Sequence, residues 1–296
     1  MKTILVLTDF SIGADHAAHY ALKLGQKIKA NLLICNMFLV PSEEPMAAQA
    51  AWPMENYETF EIDSMNDVSE LAGRLNKQLD TELTDGEFRP LIEKASIAGS
   101  VVENLNDIVA SRHMVLAVIG VHAADGLSSF LLGNHAREII ENANCPVLLV
   151  PYETMFNGYK KIAFATTLTS SDINVLHSLS SFAKYLNAEI LITHVADEES
   201  PNPEDFNASK SFLEMVSSKI DYAKIFYRLI KGKNVDTSLD WLSAQIDIDL
   251  LVLVHHKRDF FQRIFEGSIT QKLADHLTKP MLVFPFSKVQ EALPVF

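Results

Sequence analysis

Four histidines stand on or next to two short segments that each follow an apolar run, and histidine can bind metals and phosphates. They are His122, His135, His255 and His256. His122 and His256 occupy matching places after the two runs, so a paired ligand or a phosphate contact is one interpretation. No carboxylate or cysteine stands at a recognisable metal-ligand spacing from them, which favours solvated loop histidines. We therefore predict no metal site.

The residue patterns of the common hydrolytic and phosphoryl-transfer sites are absent from the sequence. It contains no G-x-S-x-G, no G-x4-G-K-[ST] and no H-E-x-x-H. The nucleophile elbow, the phosphate-binding P-loop and the zinc-protease helix therefore lack their chemistry. We predict that the protein is not an enzyme.

Composition argues against two classes of partner. The 38 acidic and 25 basic side chains give a net charge of −13, and this charge repels nucleic-acid phosphates and anionic lipid surfaces. We expect neither nucleic acid nor a membrane as a partner.

Cys35 and Cys145 are too few for a disulfide framework, and the first residues lead into a strand-like run rather than a signal peptide. These features favour a cytoplasmic location.

The second half of the chain repeats the first. Gly133 matches Gly267 and Pro146 matches Pro280 without a gap, and Thr8 matches Thr166 at the start of each half. The first half holds about 24 additional residues, which a surface connection can absorb because loop-closure cost grows slowly with length. We expect most of them in an insertion near 41–60.

Each half alternates short apolar runs with amphipathic stretches, which is typical of β-α-β units and a parallel sheet. Strands are predicted near 3–9, 30–38, 89–95, 114–120 and 146–150, and again near 160–166, 188–195, 224–230, 248–254 and 280–284. Helices are predicted between them, with Ser11 as the first N-cap and Thr169-x-x-Asp172 as a capping box. The chain is therefore expected to form an α/β protein with domains at 1–151 and 159–286, followed by a tail at 287–296.

Three marks in this order resemble the universal stress protein family. They are Thr8-Asp9-Phe10-Ser11 closing the first strand, Gly120 through Leu132-Gly133 after the fourth, and Cys145-Pro-Val-Leu-Leu-Val opening the fifth. The resemblance covers nearly the whole chain as a tandem of two domains. It implies two Rossmann-like domains, each a five-stranded parallel sheet of order 3-2-1-4-5 flanked by helices. It also implies that the domains pair through their fifth strands within one chain, and it leaves open a homodimer of chains.

The resemblance further implies a nucleotide site in the first domain. Nucleotide-binding members hold phosphates with G-x2-G-x9-G-[ST], and the counterparts here are Gly120, Ala123, Gly133 and Asn134. Glycines let backbone N–H groups approach an anion, and the last pair opens a helix whose N-terminus favours negative charge. Asp9 matches the aspartate near the base, and the backbone of Met37 would border the adenine. ATP or AMP is the implied ligand, with His122 and His135 among the candidate contacts.

Two of the four motif positions depart from the pattern. If position 123 needs a left-handed backbone, alanine costs roughly 1–2 kcal/mol, about a tenfold loss of affinity. Asn134 can still cap a helix and donate an amide N–H to a phosphate. The alternative interpretation is that Gly133 and Gly267 only terminate a loop before a helix.

The second half departs further from the motif. Val254 and Lys257 replace the two loop glycines, although Gly267 and Ser268 are retained, and Thr167 replaces the aspartate. We therefore expect the second domain to stay empty.

The sequence supports two functions. The first is a tandem universal stress protein, a non-enzymatic regulatory module of the stress response that binds an adenine nucleotide in domain 1 only. The second is a nucleotide-independent interaction protein, or a binder of another small ligand at a degenerate site. The aromatic and methionine side chains of the insertion fit either a partner-binding lid or packing against the carboxyl edge of the sheet. They are Met46, Trp52, Met54, Tyr57 and Phe60.

Overall fold

The computed structural model describes residues 1–38, 57–121, 134–152, 154–196, 203–231, 247–255, 279–285 and 293–296. Within these segments the strands are β1 (Thr3–Leu7), β2 (Asn31–Phe38), β3 (Ile92–Ala98), β4 (Met114–Val121), β5 (Val147–Pro151), β6 (Lys161–Ala165), β7 (Glu189–Ala196), β8 (Ile225–Lys231), β9 (Leu250–His255) and β10 (Met281–Pro285). The helices are α1 (Ile12–Ile28), α2 (Tyr57–Glu82), α3 (Val101–Arg112), α4 (Asn134–Asn142), α5 (Asp172–Leu186) and α6 (Pro203–Lys219).

All ten strands join in one sheet of order β3-β2-β1-β4-β5-β10-β9-β6-β7-β8. Each half therefore has the predicted order 3-2-1-4-5, with parallel pairing inside it. The halves meet where β5 and β10 pair antiparallel, with Leu148 opposite Leu282. The fifth strands pair within one chain, as the sequence predicts.

Helices cover both faces of this sheet, which explains the unbroken apolar strands. All five residues of β1 are buried, as expected where both sides of a parallel strand are packed. Each face carries one apolar cluster, and each cluster contains residues from both halves. The first holds Ile4, Phe164 and Phe284, and the second holds Leu5 and Leu251. The two halves therefore share their core.

The starts of α1 and α5 differ although their sequences match. Ser11 is the N-cap of α1 and its hydroxyl accepts the Ala14 N–H at 3.2 Å, as predicted. In the second half Asp172 Oδ2 accepts the Thr169 N–H at 3.2 Å, which is one half of the predicted capping box. The Thr169 hydroxyl contacts Ser171 Oγ instead, at 2.8 Å. Helix α5 consequently begins two positions later than its counterpart.

The first half differs from the prediction at the start of β3, and the expected insertion contributes to a helix. Strand β3 begins at Ile92 rather than 89, because Pro90 has no N–H to donate and the Leu91 N–H bonds the Asn31 side chain at 3.0 Å. In the expected insertion near 41–60, residues 57–60 form the first turn of α2. This helix has 26 residues against 17 in α6, so it takes up part of the additional length. Residues 39–56 lie outside the described segments.

A row of aromatic rings crosses the junction between the halves. Phe156 packs edge-on against Tyr20 of α1 and against Tyr159, with centroids 5.1 and 5.3 Å apart. The row continues through Phe182 of α5 to Phe296, whose ring lies 4.9 Å from that of Phe182. The Tyr20 hydroxyl donates to the Tyr159 hydroxyl at 2.8 Å. Burial raises the pKa of both phenols, so the pair stays protonated.

Candidate functional site

A cleft of about 170 Å³ opens at the carboxyl ends of β1, β2 and β4. Neighbouring strands of an open parallel sheet diverge at this point, which is where such sheets bind ligands. The described residues that line the cleft are Leu7, Thr8, Asp9, Ala14, Cys35, Met37, Val101, Ile119, Gly120, Ala136 and Ile139. The cleft therefore gathers residues of six different helices and strands around one space.

The cleft brings Asp9, Met37 and Gly120 together. Asn134 and His135 are the first two residues of α4, and Ala136 on the same turn lines the cleft. The N-terminal end of α4 therefore lies at the site. The remaining predicted contacts, His122, Ala123 and Gly133, lie outside the described residues.

The corner between β1 and α1 is held by its own polar atoms. The Thr8 N–H donates to the Cys35 carbonyl at 3.0 Å, and Thr8 Oγ1 accepts the Phe10 N–H at 3.0 Å. Phe10 has φ +61°, a left-handed conformation. Asp9 Oδ1 accepts the Ser11 N–H at 3.0 Å, and its Oδ2 has no hydrogen-bond partner among the described residues. An exposed carboxylate oxygen thus stands at the mouth of the cleft.

Gly120 has a packing role that the sequence analysis missed. It lies within β4 rather than after it, and a Cβ there would stand 2.2 Å from the Gly13 carbonyl oxygen. Only glycine lets the strand pass this close to the first turn of α1. Gly120 therefore has a packing reason of its own, and it also lines the cleft.

The floor of the cleft is apolar. Cys35 and Met37 alternate on β2 and face the same side, while Val101 arrives from the start of α3. Burial raises the pKa of the Cys35 thiol to about 12, so it behaves as a small neutral apolar group. Because the side chains of a strand alternate between its two faces, the position of Met37 could have identified Cys35 as a lining residue. No local pattern points to Val101.

The matching corner of the second half carries a buried carboxylate. Asp172 takes the place of Ala14 and is 1% exposed. Its Oδ2 accepts the Thr166 hydroxyl at 2.5 Å, and its Oδ1 has no hydrogen-bond partner in the described part of the chain. The second half therefore has a buried carboxyl group where the first half has a methyl group.

Neither a metal cluster nor a membrane-spanning helix is found in the part of the chain that the structure describes. No three histidine, cysteine, aspartate or glutamate side chains come together there in a way that could hold a metal ion. None of the described helices combines the length and the apolar character that a membrane crossing requires.

Comparison with known proteins identifies relatives along the whole chain. The sequence model of the universal stress protein family matches residues 1–151 and 158–285. Universal stress protein MJ0531 of Methanocaldococcus jannaschii is 25% identical over 151 residues, which are 50% of this chain and 81% of that protein.

Two solved structures share the tandem arrangement over nearly their full length. A universal stress protein from Archaeoglobus fulgidus aligns with TM-score 0.70 at 14% identity, over 96% of this chain and 98% of that one. The functionally unknown protein PA1789 from Pseudomonas aeruginosa aligns with TM-score 0.57 at 14% identity, over 97% and 93%. At these identities the likeness concerns the fold.

Proposed function

Because the chain belongs to the universal stress protein family, as a tandem of two family domains, we propose that it is a non-enzymatic regulatory protein of the stress response. We propose further that its first domain binds an adenine nucleotide, ATP or AMP. The observation that carries the proposal is the cleft that brings Asp9, Met37 and Gly120 together beside the start of α4.

The chemistry of the cleft fits the three parts of such a ligand. The apolar floor of Cys35, Met37 and Val101 suits the flat face of a base. The Asp9 carboxylate can accept hydrogen bonds from amino or hydroxyl groups of adenosine. The N-terminus of α4 offers backbone N–H groups and a positive dipole end to phosphates. Each part has its own side of the cleft.

Two differences support binding in the first domain alone. Thr167 stands where the first domain has the Asp9 carboxylate, and Val254, which is buried, stands where it has Gly120. Asp172 adds a buried carboxyl group where the first domain has the methyl group of Ala14. The second domain therefore lacks the Asp9 acceptor and carries larger side chains where the first domain has Ala14 and Gly120.

Calorimetric titration of the full chain with ATP and AMP tests the proposal. We expect one site per chain, and Asp9→Ala should weaken AMP binding by about tenfold, the loss of one charge-assisted hydrogen bond. Thr167→Ala is the matched control in the second domain and should leave the affinity unchanged. Two equivalent sites, or sensitivity to Thr167→Ala instead, would contradict the assignment. No binding of either nucleotide would favour the nucleotide-independent interaction protein.

Repair of the departing motif positions tests the phosphate side. If position 123 needs a left-handed backbone, Ala123→Gly with Asn134→Ser should tighten ATP binding by at least about tenfold, because glycine adopts that conformation without strain and serine supplies a hydroxyl. Adding Asp9→Ala to the repaired chain should weaken adenosine binding more than binding of inorganic phosphate. A repaired chain with the affinity of the parent would mean that neither position limits binding.

A further inference from the structure

A hydrogen-bond network of polar side chains runs from β3 through α2 to the corner between β1 and α1. Ser96 Oγ donates to Ser64 Oγ at 2.6 Å, and Ser64 Oγ donates to Asn36 Oδ1 at 2.8 Å. Asn36 Nδ2 then donates to the Thr8 carbonyl oxygen at 2.7 Å. A carbonyl can only accept, so the amide group of Asn36 must present its NH2 to Thr8 and its oxygen to Ser64.

This hydrogen-bond network lies behind the cleft rather than in it. Cys35 and Met37 line the cleft, and Asn36 between them faces the opposite side of β2, toward α2. Asn36 is 8% exposed and Ser64 is 7% exposed. Neither side chain is among those that line the cleft, so their influence on a ligand must be indirect.

Thr8 is the residue that the hydrogen-bond network holds at the corner. Its N–H and hydroxyl are already bonded to Cys35 and Phe10, and Asn36 holds the remaining backbone group. The Thr8 carbonyl belongs to the peptide plane that Thr8 shares with Asp9. The bond from Asn36 therefore fixes the plane from which the Asp9 side chain projects.

The second half makes the same bond with a different residue. His194 takes the place of Asn36, and its Nδ1 lies 3.0 Å from the carbonyl oxygen of Thr166, the counterpart of Thr8. Because that oxygen accepts, Nδ1 is the nitrogen that carries hydrogen. Asparagine in the first half and histidine in the second half thus each donate one hydrogen bond to the matching carbonyl oxygen. This indicates that the corner requires the bond.

We propose that Asn36, held by Ser64, is a positioning residue for the nucleotide site of the first domain. It sets the orientation of Asp9 through the Thr8 carbonyl and does not touch the ligand. The inference rests on the proposed function, because Asp9 is the acceptor assigned there. It also ties the site to α2, the helix that carries Ser64.

Calorimetric titration of the full chain with AMP tests the proposal through a double-mutant cycle. Asn36→Ala should weaken binding by about tenfold, and by less than about twofold when Asp9→Ala is already present. Asn36→His, the residue of the second half, should restore the affinity to within about threefold of the parent. Equal losses in both backgrounds, or failure of a folded histidine variant to rescue binding, would overturn the positioning role.

A second readout needs no nucleotide. In the ligand-free chain Asn36→Ala should speed amide hydrogen exchange at Phe10 and Ser11, while exchange in β4 stays unchanged. Unchanged exchange at the corner would refute the hold on Thr8. A parent chain that binds neither AMP nor ATP would refute the proposed function instead, so the two failures are distinguishable.

Discussion

Gly120 occupies the point where β4 passes beneath the first turn of α1. A Cβ at this position would stand 2.2 Å from the Gly13 carbonyl oxygen and 2.8 Å from the Ala14 nitrogen. Both atoms belong to backbone, which cannot swing aside as a flexible side chain can. The absence of a side chain at Gly120 therefore determines how closely α1 approaches β4.

We expect Gly120→Ala to lower the free energy of unfolding by about 1–3 kcal/mol, the usual cost of forcing a methyl group into a packed space. Gly73→Ala on α2 is the matched control, because nothing lies within 4 Å of its Cβ position. That control should gain up to about 1 kcal/mol from better helix propensity. Urea denaturation of both variants measures the difference, and a Gly120→Ala chain as stable as the parent would contradict the close contact.

At the scale of elements, the two matching helices α1 and α5 begin by different means. The Ser11 hydroxyl bonds the Ala14 N–H of α1, whereas Ser171 makes no side-chain bond to the backbone of α5. Asp172, the first residue of α5, instead accepts the N–H of Thr169, which precedes the helix. The first turn of α1 therefore receives a side-chain cap, and that of α5 does not.

Ser11→Ala should lower the free energy of unfolding by about 1 kcal/mol, the usual value of an N-cap hydrogen bond. Ser171→Ala should cost only a few tenths, because it removes no cap. Urea denaturation with circular dichroism at 222 nm compares the two. Equal losses would show that the Ser11 bond contributes nothing specific to α1.

Most strands could be predicted from sequence because they are apolar without alternation and are buried on both faces. The start of β3 could not, since it depends on a contact between Leu91 and Asn31, which are distant in sequence. In the site, Asp9 and Met37 follow from matching a known motif. Val101 and Ile139 come from helices far along the chain, and the reason for Gly120 lies in Gly13. Contacts between remote segments leave no local pattern to read.

At the scale of the whole molecule, the buried pair of Tyr20 and Tyr159 lies at the junction of the halves. The two residues are 4% and 2% exposed, so water cannot replace a lost partner. The hydrogen bond between them joins α1 of the first half to the start of the second half, two residues before β6. Removing one hydroxyl leaves the other buried and unpaired, whereas removing both leaves no polar group behind.

Tyr159→Phe should therefore cost about 1–3 kcal/mol of unfolding free energy, because it strands the Tyr20 hydroxyl. The double variant with Tyr20→Phe should be at least as stable as Tyr159→Phe alone, since no unpaired donor remains. Urea denaturation of the two singles and the double supplies the cycle. Additive losses would mean that the two hydroxyls act independently.

The antiparallel pairing of β5 with β10 resembles a contact between two identical chains, but both strands belong to one chain. In a pair of identical chains every contact must occur twice, so a change on one side is repeated on the other. Here Val147 lies opposite Val283 on one side of the central leucines, and Leu149 lies opposite Met281 on the other. The sides are not copies, because one holds two small side chains and the other two large ones. Each half can therefore acquire changes that its twin does not share, which is what a ligand site confined to the first domain, as we propose, requires.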